Sequence, residues 1–280
     1  MDTEIELKFL VSDAVVPLIP SLITQFAKTV INKPSRSLQN AYYDTPSREL
    51  RALDIGFRTR CADSKCEQTI KLAGEVVGGL HQRPEYNLPI ESSRPDLLAF
   101  NNAIWPHGMQ VNAISNNLYP IFSTNFIRRT WLIETPNGAK IEVVLDKGEI
   151  AASGKVDIIS ELEIELVEGN RDELFALADK LVSQNCIRLG LYSKAARGYR
   201  LADETPLKPS KSIGFVKLKK QATQEQALIE AMNFGIRFVQ KHEQCYFDKP
   251  SLKTLKRVTD GISLIRHNFW LFDDIVSKDS

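Results

Sequence analysis

Cysteine and histidine are scarce in this sequence and lie far apart. The 280 residues contain four of each, no two cysteines form a CxxC pair, and no Cys/His spacing typical of a zinc site occurs. The cysteines are Cys61, Cys66, Cys186 and Cys245. We expect reduced thiols in a cytosolic protein, with Cys61 and Cys66 both buried. The histidines, expected to be surface or packing residues, are His81, His107, His242 and His267.

Long apolar runs and an excess of one charge are also absent. No stretch approaches the roughly 18 consecutive apolar residues of a membrane helix. The acidic residues Asp2, Glu4 and Glu6 stand where a signal peptide would be basic and then apolar. The net charge of +1 gives no strong attraction to nucleic acid or anionic lipid. We therefore predict a cytoplasmic globular protein of one large or two domains that binds neither nucleic acid nor a membrane.

The N-terminal segment, residues 1–11, alternates charged and apolar side chains. Glu4, Glu6 and Lys8 are separated by apolar residues. In an extended strand successive side chains point to opposite faces, so this strand has one charged face and one apolar face. An ordinary half-exposed strand has the same pattern, so the segment alone does not define a site.

Similar strand patterns recur over the first two hundred residues. They are residues 41–45, 56–60, 67–72, 81–86, 122–134, 140–146 and 160–166. Residues 92–118 predict an irregular helical insertion, and Lys147-Gly148 predicts a turn. A helix of about 15 residues after Asn170 has an apolar stripe that the apolar backs of the strands can cover.

The composition changes near residue 204, where Pro206 and Pro209 indicate a linker over residues 204–212. Two helical patterns follow, from about Thr223 to Cys245 and from about Ser251 to Val276. We expect one face of the second helix to point toward a core; its residues include Leu255, Ile262 and Phe269. The sequence therefore predicts a strand domain over residues 1–203 and a helical region over residues 213–280.

The predicted strands keep their charges on one face. The sets are Arg58 and Arg60; Thr69 and Lys71; Arg83 and Glu85; Glu142, Val144 and Asp146; and Glu161, Glu163 and Glu165. A solvated outer face is one explanation. Like charges two residues apart repel, however, unless a ligand of opposite sign lies between them. Rows of carboxylates suit divalent cations, and clustered Arg and Lys suit phosphate.

A barrel with these faces inward would need partners for its buried charges. A polyphosphate with metal ions would satisfy both signs, which predicts a site for phosphoryl or nucleotidyl transfer.

Several motifs resemble one family, the CYTH superfamily of triphosphate tunnel metalloenzymes. The segment from Glu4 to Lys8 is similar to its ExExK signature. Further matching segments are residues 42–45, 57–60, 70–72, 141–148, 161–165 and 193–199. The resemblance covers about residues 1 to 205 and is closest to bacterial inorganic triphosphatases, which join a CYTH domain to a helical CHAD domain. Residues 79–86 and 191–201 point to that subgroup, whereas residues 213–280 resemble only the start of a CHAD domain.

The resemblance implies an α+β fold, with an eight-stranded antiparallel β tunnel, flanking helices and a small helical C-terminal region. It also implies hydrolysis of tripolyphosphate to pyrophosphate and phosphate with Mg²⁺ or Mn²⁺. The implied metal ligands are Glu4, Glu6, Asp146, Glu161, Glu163 and Glu165. The implied substrate-binding residues are Lys8, Arg58, Arg60, Lys71, Arg83, Arg128 and Lys194. Lys8 would activate the attacking water, with Glu4 and Glu6 beside it, and Arg197 would support the site.

Alternative functions on the same fold are a class IV-type adenylyl cyclase and a thiamine or nucleoside triphosphatase. A non-catalytic polyphosphate-binding module is the alternative from another class. In each case the helical C-terminal region would dock on the tunnel domain or bind polyphosphate.

Overall fold

The computed structural model describes residues 2–62, 65–184 and 187–276, and within them ten strands form one sheet. The strands are β1 (Asp2–Val11), β2 (Thr29–Asp44), β3 (Gly56–Ala62), β4 (Lys65–Lys71), β5 (Glu75–Val77), β6 (Leu80–Ile90), β7 (Tyr119–Glu134), β8 (Lys140–Ala152), β9 (Lys155–Glu168) and β10 (Ile187–Leu189). Eight of them follow the order β1-β9-β8-β7-β2-β3-β4-β6, and β1 also pairs with β6, which closes a barrel. Every pairing around this barrel is antiparallel. The predicted α+β fold with an eight-stranded antiparallel tunnel is therefore confirmed.

Short and long helices connect and extend the barrel. They are α1 (Ile19–Phe26), α2 (Glu49–Ala52), α3 (Val111–Asn116), α4 (Arg171–Val182), α5 (Lys194–Ala202), α6 (Gln224–Asp248) and α7 (Leu252–Leu271). The predicted irregular insertion is confirmed, because residues 92–118 contain two single-turn 3₁₀ helices followed by α3. No helix in the described part of the chain is both long and apolar enough to cross a membrane.

The apolar faces of the strands point outward, under the helices. Phe9 of β1 and Leu162 of β9 are fully buried in one cluster with residues of α1 and α4. Phe57 of β3 and Ile70 of β4 lie in a second cluster beneath the insertion of residues 97–118. Because strand side chains alternate, the charged faces must point into the barrel. The alternative of a solvated charged face outside the sheet is therefore wrong.

One end of the barrel interior is filled by apolar side chains and α5. Leu38, Phe122, Phe126 and Ile150 form a buried cluster with Tyr199 of α5, and α5 packs against β7, β8 and β9. These side chains belong to the inward-facing rows of their strands. Charged side chains continue the same rows beyond this cluster.

Strand β8 is longer than the sequence predicts. The predicted turn at Lys147-Gly148 is wrong, since β8 continues to Ala152 and the chain turns at Ser153-Gly154, both with positive φ. Gly148 instead allows a close approach within the sheet. A Cβ atom added there would lie 2.5 Å from the Phe126 Cα atom.

The prediction of reduced, buried thiols is wrong for Cys61 and Cys66. They face each other across the β3–β4 pair and form a disulfide, and both are half-buried. The register that brings them together depends on the pairing of the two strands, which spacing alone does not give. Cys245 is buried and is not part of this disulfide, and Cys186 lies outside the described residues.

A second compact unit comprises Val77–Gly79 and the chain from Pro206 onward. Helix α6 begins after Thr223, whose side chain completes a capping box with Gln226, and it packs along α7. The expectation that Leu255, Ile262 and Phe269 point toward a core is wrong, because all three are exposed. The preceding residues form the buried row of α7, namely Thr254, Gly261 and Asn268.

Candidate active site

The barrel brings the charged rows of its strands to one lumen. Glu6 lies opposite Glu165, and Lys8 lies opposite Glu163, across the β1–β9 pair. The lumen holds a cavity of about 1320 Å³. The predicted site residues that line it are Glu4, Glu6, Lys8, Arg58, Arg60, Lys71, Arg83, Arg128, Glu163, Glu165 and Lys194. The remaining two, Asp146 and Glu161, are fully buried and bond to residues of this lining.

An inner cluster of six residues forms the most densely paired part of the lumen. Its members are Lys8, Arg128, Asp146, Glu161, Glu163 and Lys194. The Lys194 Nζ atom lies 2.8 Å from a carboxylate oxygen of each of Asp146, Glu161 and Glu163. Arg128 donates two hydrogen bonds, of 2.7 and 2.6 Å, to Asp146. Burial alone would raise the pKa of Glu161, but Lys194 and Lys8 outweigh it and lower the pKa to about 2.

Lys8 keeps its proton in this cluster. It donates hydrogen bonds to Glu163 and, at 3.4 Å, to Glu161. Burial favours the neutral amine, and Lys194 adds to that, but Glu163, Glu6 and Glu161 outweigh both and raise the pKa of Lys8. The surrounding carboxylates stabilise the ammonium form of Lys8 in the metal-free protein, and its role in activating water stays a prediction.

An acidic cluster of Glu4, Glu6 and Glu165 lies on the β1 and β9 walls of the lumen. Burial raises the pKa of Glu165 to about 8, and repulsion from Glu4 and Glu6 contributes. Burial likewise raises the pKa of Glu4 to about 7, although Lys71 donates a hydrogen bond of 2.5 Å to it. These carboxylates therefore have too few cations around them.

An arginine cluster of Arg58, Arg60 and Arg83 lines the strands β3 and β6. Burial lowers the pKa of Arg60 to about 9, and repulsion from Arg58 and Arg128 contributes. The Nε atoms of Arg58 and Arg83 are buried and have no hydrogen-bond partner within the described ranges. Guanidinium groups remain protonated at neutral pH. Carboxylates neutralise them only in part, since Arg60 lies 3.5 Å from Glu67 and Arg83 lies 3.8 Å from Asp54.

Three further side chains belong to the site. His81, predicted to be a surface or packing residue, is buried and lines the cavity, and burial lowers its pKa to about 4. It follows the same alternation as Arg83 in β6, which is the signal that could have found it. Tyr42 lines the cavity and bonds to Arg58. Arg197, expected to support the site, donates a hydrogen bond of 2.6 Å to Glu161.

The donor set of the acidic cluster fits a hard divalent cation. Its atoms are carboxylate oxygens, and a cation would relieve the repulsion that raises the pKa values of Glu4 and Glu165. The carboxylates of the inner cluster instead bond to Lys8, Lys194 and Arg128. Across residues 2–62, 65–184 and 187–276, no three His, Cys, Asp or Glu side chains already stand in a metal-ligating arrangement.

Comparisons with known proteins found a matching family and a similar protein. The CYTH domain matches residues 2–199. The chain is similar to an inorganic triphosphatase from Haemophilus influenzae, with 38% identity over 201 residues, which are 72% of this chain and 55% of that protein. The chain thus spans about half the length of the curated relative that it matches.

The fold is also similar to a solved structure. This is a candidate adenylyl cyclase from Hippeastrum, described as having a dominant triphosphatase activity. The TM-score is 0.51 at 16% identity, and the match covers 70% of this chain and 95% of that one. At this identity the similarity shows a shared fold and nothing further.

Proposed function

The chain belongs to the CYTH domain family, and we propose that it hydrolyses inorganic tripolyphosphate to pyrophosphate and phosphate with a divalent cation. One observation carries the proposal: within the described residues the lumen has arginines with unpartnered Nε atoms, and its arginines and carboxylates each repel like charges beside them. A polyphosphate bound with divalent cations supplies the missing charge of both signs. The similarity to an inorganic triphosphatase supports the same substrate class.

In this proposal the basic residues hold the phosphoryl oxygens. Arg58, Arg60 and Arg83 offer guanidinium donors, and Lys71 and Arg128 extend the same basic surface. Lys8 and Lys194 face the cavity as ammonium groups that neutralise charge on the transferred phosphoryl group. Positioning and charge neutralisation are the main contributions that a protein makes to phosphoryl transfer.

The cation would be Mg²⁺ or Mn²⁺, held by Glu4, Glu6 and Glu165. When bound it would neutralise phosphate charge and act as a Lewis acid. Asp146, Glu161 and Glu163 fix the two ammonium groups in the absence of metal. Their predicted role as further metal ligands stays a prediction.

Phosphate release is the direct test. Tripolyphosphate, ATP and thiamine triphosphate are offered separately with Mg²⁺, with Mn²⁺ and with chelator. We expect fastest release from tripolyphosphate and none with chelator. A protein that binds tripolyphosphate without turnover would contradict the proposal and indicate a binding module.

Two arginine variants test whether the substrate binds in the lumen or on the outer surface of the barrel. Arg60→Met removes a lumen guanidinium, whereas Arg129→Met removes one that lies over the outer Trp131 ring, 4.9 Å from its centroid. We expect Arg60→Met to weaken substrate binding and Arg129→Met to leave it unchanged. Equal effects would mean that the lumen is not the binding site.

A triphosphate with an organic group is the second candidate substrate. The cavity lining continues past the charges to Leu88, Phe100 and Ile104, which offer an apolar surface for a ring. Thiamine or nucleoside triphosphatase activity would then exceed activity on tripolyphosphate. An adenylyl cyclase would produce cyclic AMP and pyrophosphate from ATP, without free phosphate, so the same assay separates the alternatives.

A further inference from the structure

Helix α5 delivers Lys194 to the inner cluster, and Tyr199 fastens this helix to the end of β2. The Tyr199 hydroxyl donates a hydrogen bond of 2.9 Å to Asp44, and both residues are buried. We propose that Tyr199 is a positioning residue, which holds α5 so that the Lys194 ammonium stays on its three carboxylates. The proposal rests on the proposed function in one respect, that Lys194 contacts the substrate.

Asp44 is a rigid acceptor for this bond. Its carboxylate also accepts hydrogen bonds from the backbone N–H groups of Thr45, Leu50 and Arg51, at 2.7, 2.9 and 3.0 Å. The side chain is fully buried, so these bonds are not exchanged with water. Because the acceptor is fixed, the bond from Tyr199 sets where this part of α5 can lie.

The neighbouring turn of α5 fits against the barrel in one position. A Cβ atom at Gly198 would lie 2.1 Å from the Phe122 ring, so the helix backbone rests directly on that side chain. Phe122 in turn stacks on Tyr42, with ring centroids 4.4 Å apart, and Tyr42 bonds to Arg58 in the lumen. Contact with Phe122 limits how closely α5 approaches, and the Tyr199–Asp44 bond holds it there.

Lys194 depends on this placement because three hydrogen bonds from one ammonium group must form at the same time. Its Nζ atom is 2.8 Å from each of three carboxylates, and a displacement of about 1 Å would take it out of hydrogen-bond range. Tyr199 lies five residues after Lys194, on the same short helix. Loss of the Tyr199–Asp44 hydrogen bond would therefore displace Lys194 from its carboxylates. It would leave Lys8, which belongs to β1, in place.

Chemical labelling tests this without any assay of activity. Tyr199→Phe removes only the hydroxyl group, and each lysine is then followed by acetylation and peptide mass spectrometry. We expect Lys194 to react about tenfold faster in this variant, because a hydrogen bond to a charged acceptor contributes about the corresponding free energy. The reaction rate of Lys8 should not change. Tyr43→Phe is the matched control, since its hydroxyl makes only a 3.5 Å contact. Unchanged protection of Lys194, or equal loss for Lys8 and Lys194, would overturn the proposal.

A double-mutant cycle tests whether the Tyr199–Asp44 hydrogen bond affects turnover through Lys194. We expect Tyr199→Phe to lower kcat/KM for tripolyphosphate about tenfold or more, since small misplacements of a positioned group are costly. In the Lys194→Gln background the same change should have no further effect. Lys194→Arg takes the place of Lys194→Gln if the latter does not fold.

Multiplicative losses in the cycle would refute the proposed coupling. A wild-type protein without triphosphatase activity would refute the proposed function instead. The labelling result would still decide whether Tyr199 positions Lys194, so the two failures are distinguishable.

Discussion

Replacing Glu165 by Gln tests the charge imbalance of the acidic cluster directly. The pKa of this carboxyl is about 8 in the folded protein, against 4.5 for an ordinary Glu side chain. Above pH 4.5 the unfolded chain releases the proton while the folded protein retains it. The stabilising contribution of the raised pKa is therefore complete below pH 4.5, and stability falls as the pH rises toward 8.

The size of the effect follows from these two pKa values. Between pH 4.5 and pH 7 the folded state holds one more proton, so stability falls by about 1.4 kcal/mol per pH unit. The total at pH 7 is about 3 kcal/mol as an upper figure, because Glu4 titrates in the same range. Gln cannot ionise, so Glu165→Gln should be more stable than the parent protein at pH 7 and nearly equal to it at pH 4.

Urea unfolding in the presence of chelator measures the difference at pH 4, 7 and 8.5. Glu168→Gln is the matched control, because Glu168 lies on the same strand, is exposed and pairs with Lys140 at 2.6 Å. The control should not reproduce the pH-dependent gain. Adding Mg²⁺ should stabilise the parent protein more than Glu165→Gln. A variant that is no more stable than the parent at pH 7 without divalent cations would refute the reasoning.

Three further substitutions test other parts of the molecule. Arg60→Met should raise the melting temperature of the ligand-free protein, because burial and repulsion lower the pKa of Arg60, and calorimetry should show weaker tripolyphosphate binding. Lys8→Met should destabilise the protein by about 2 kcal/mol in chemical unfolding, since it removes one of the three cationic groups around the buried Glu163 and leaves Lys194 and Arg128. The pH profile of kcat tests the role of Lys8 in the parent protein: if Lys8 acts as an ammonium group, whose pKa the neighbouring carboxylates raise, no rise between pH 7 and 9 should appear that Lys8→Met abolishes. Gly148→Ala should cost about 2 kcal/mol or more through its clash with Phe126, whereas Gly56→Ala, with no neighbour within 4 Å, should cost less. An equal loss in both glycine variants would contradict the close approach at Gly148.

The charged rows could be predicted from the sequence because strand alternation has a fixed period of two. Glu4, Glu6 and Lys8 need no knowledge of the fold to share a face, and Glu161, Glu163 and Glu165 follow the same rule. The barrel was predicted from the resemblance to the CYTH superfamily, and in a barrel of this kind these faces point inward.

Contacts between distant segments could not be predicted in this way. Lys194 meets Asp146 and Glu161 only because α5 packs on β8 and β9, and the disulfide depends on the register of β3 and β4. The first part of β2, residues 29–40, has mostly exposed polar residues, so its sequence gives little sign of a strand. Helix α7 buries Thr254, Gly261 and Asn268 and exposes Leu255, Ile262 and Phe269, while other apolar residues such as Ile265 are half-buried, so its amphipathic pattern does not identify the buried face.

The inner cluster and the other two clusters of the lumen have different roles, because their charges are paired to different extents. In the inner cluster every carboxylate meets two or more cationic groups, so this cluster is already satisfied and can hold Lys8 and Lys194 rigidly. In the arginine and acidic clusters, burial and repulsion between like charges shift the pKa values of Arg60 and Glu165, so both clusters cost folding free energy in the free protein. A ligand that carries both signs of charge recovers that free energy on binding. A singly charged anion can relieve only the arginines, so the lumen should discriminate in favour of a polyanion bound together with its cations.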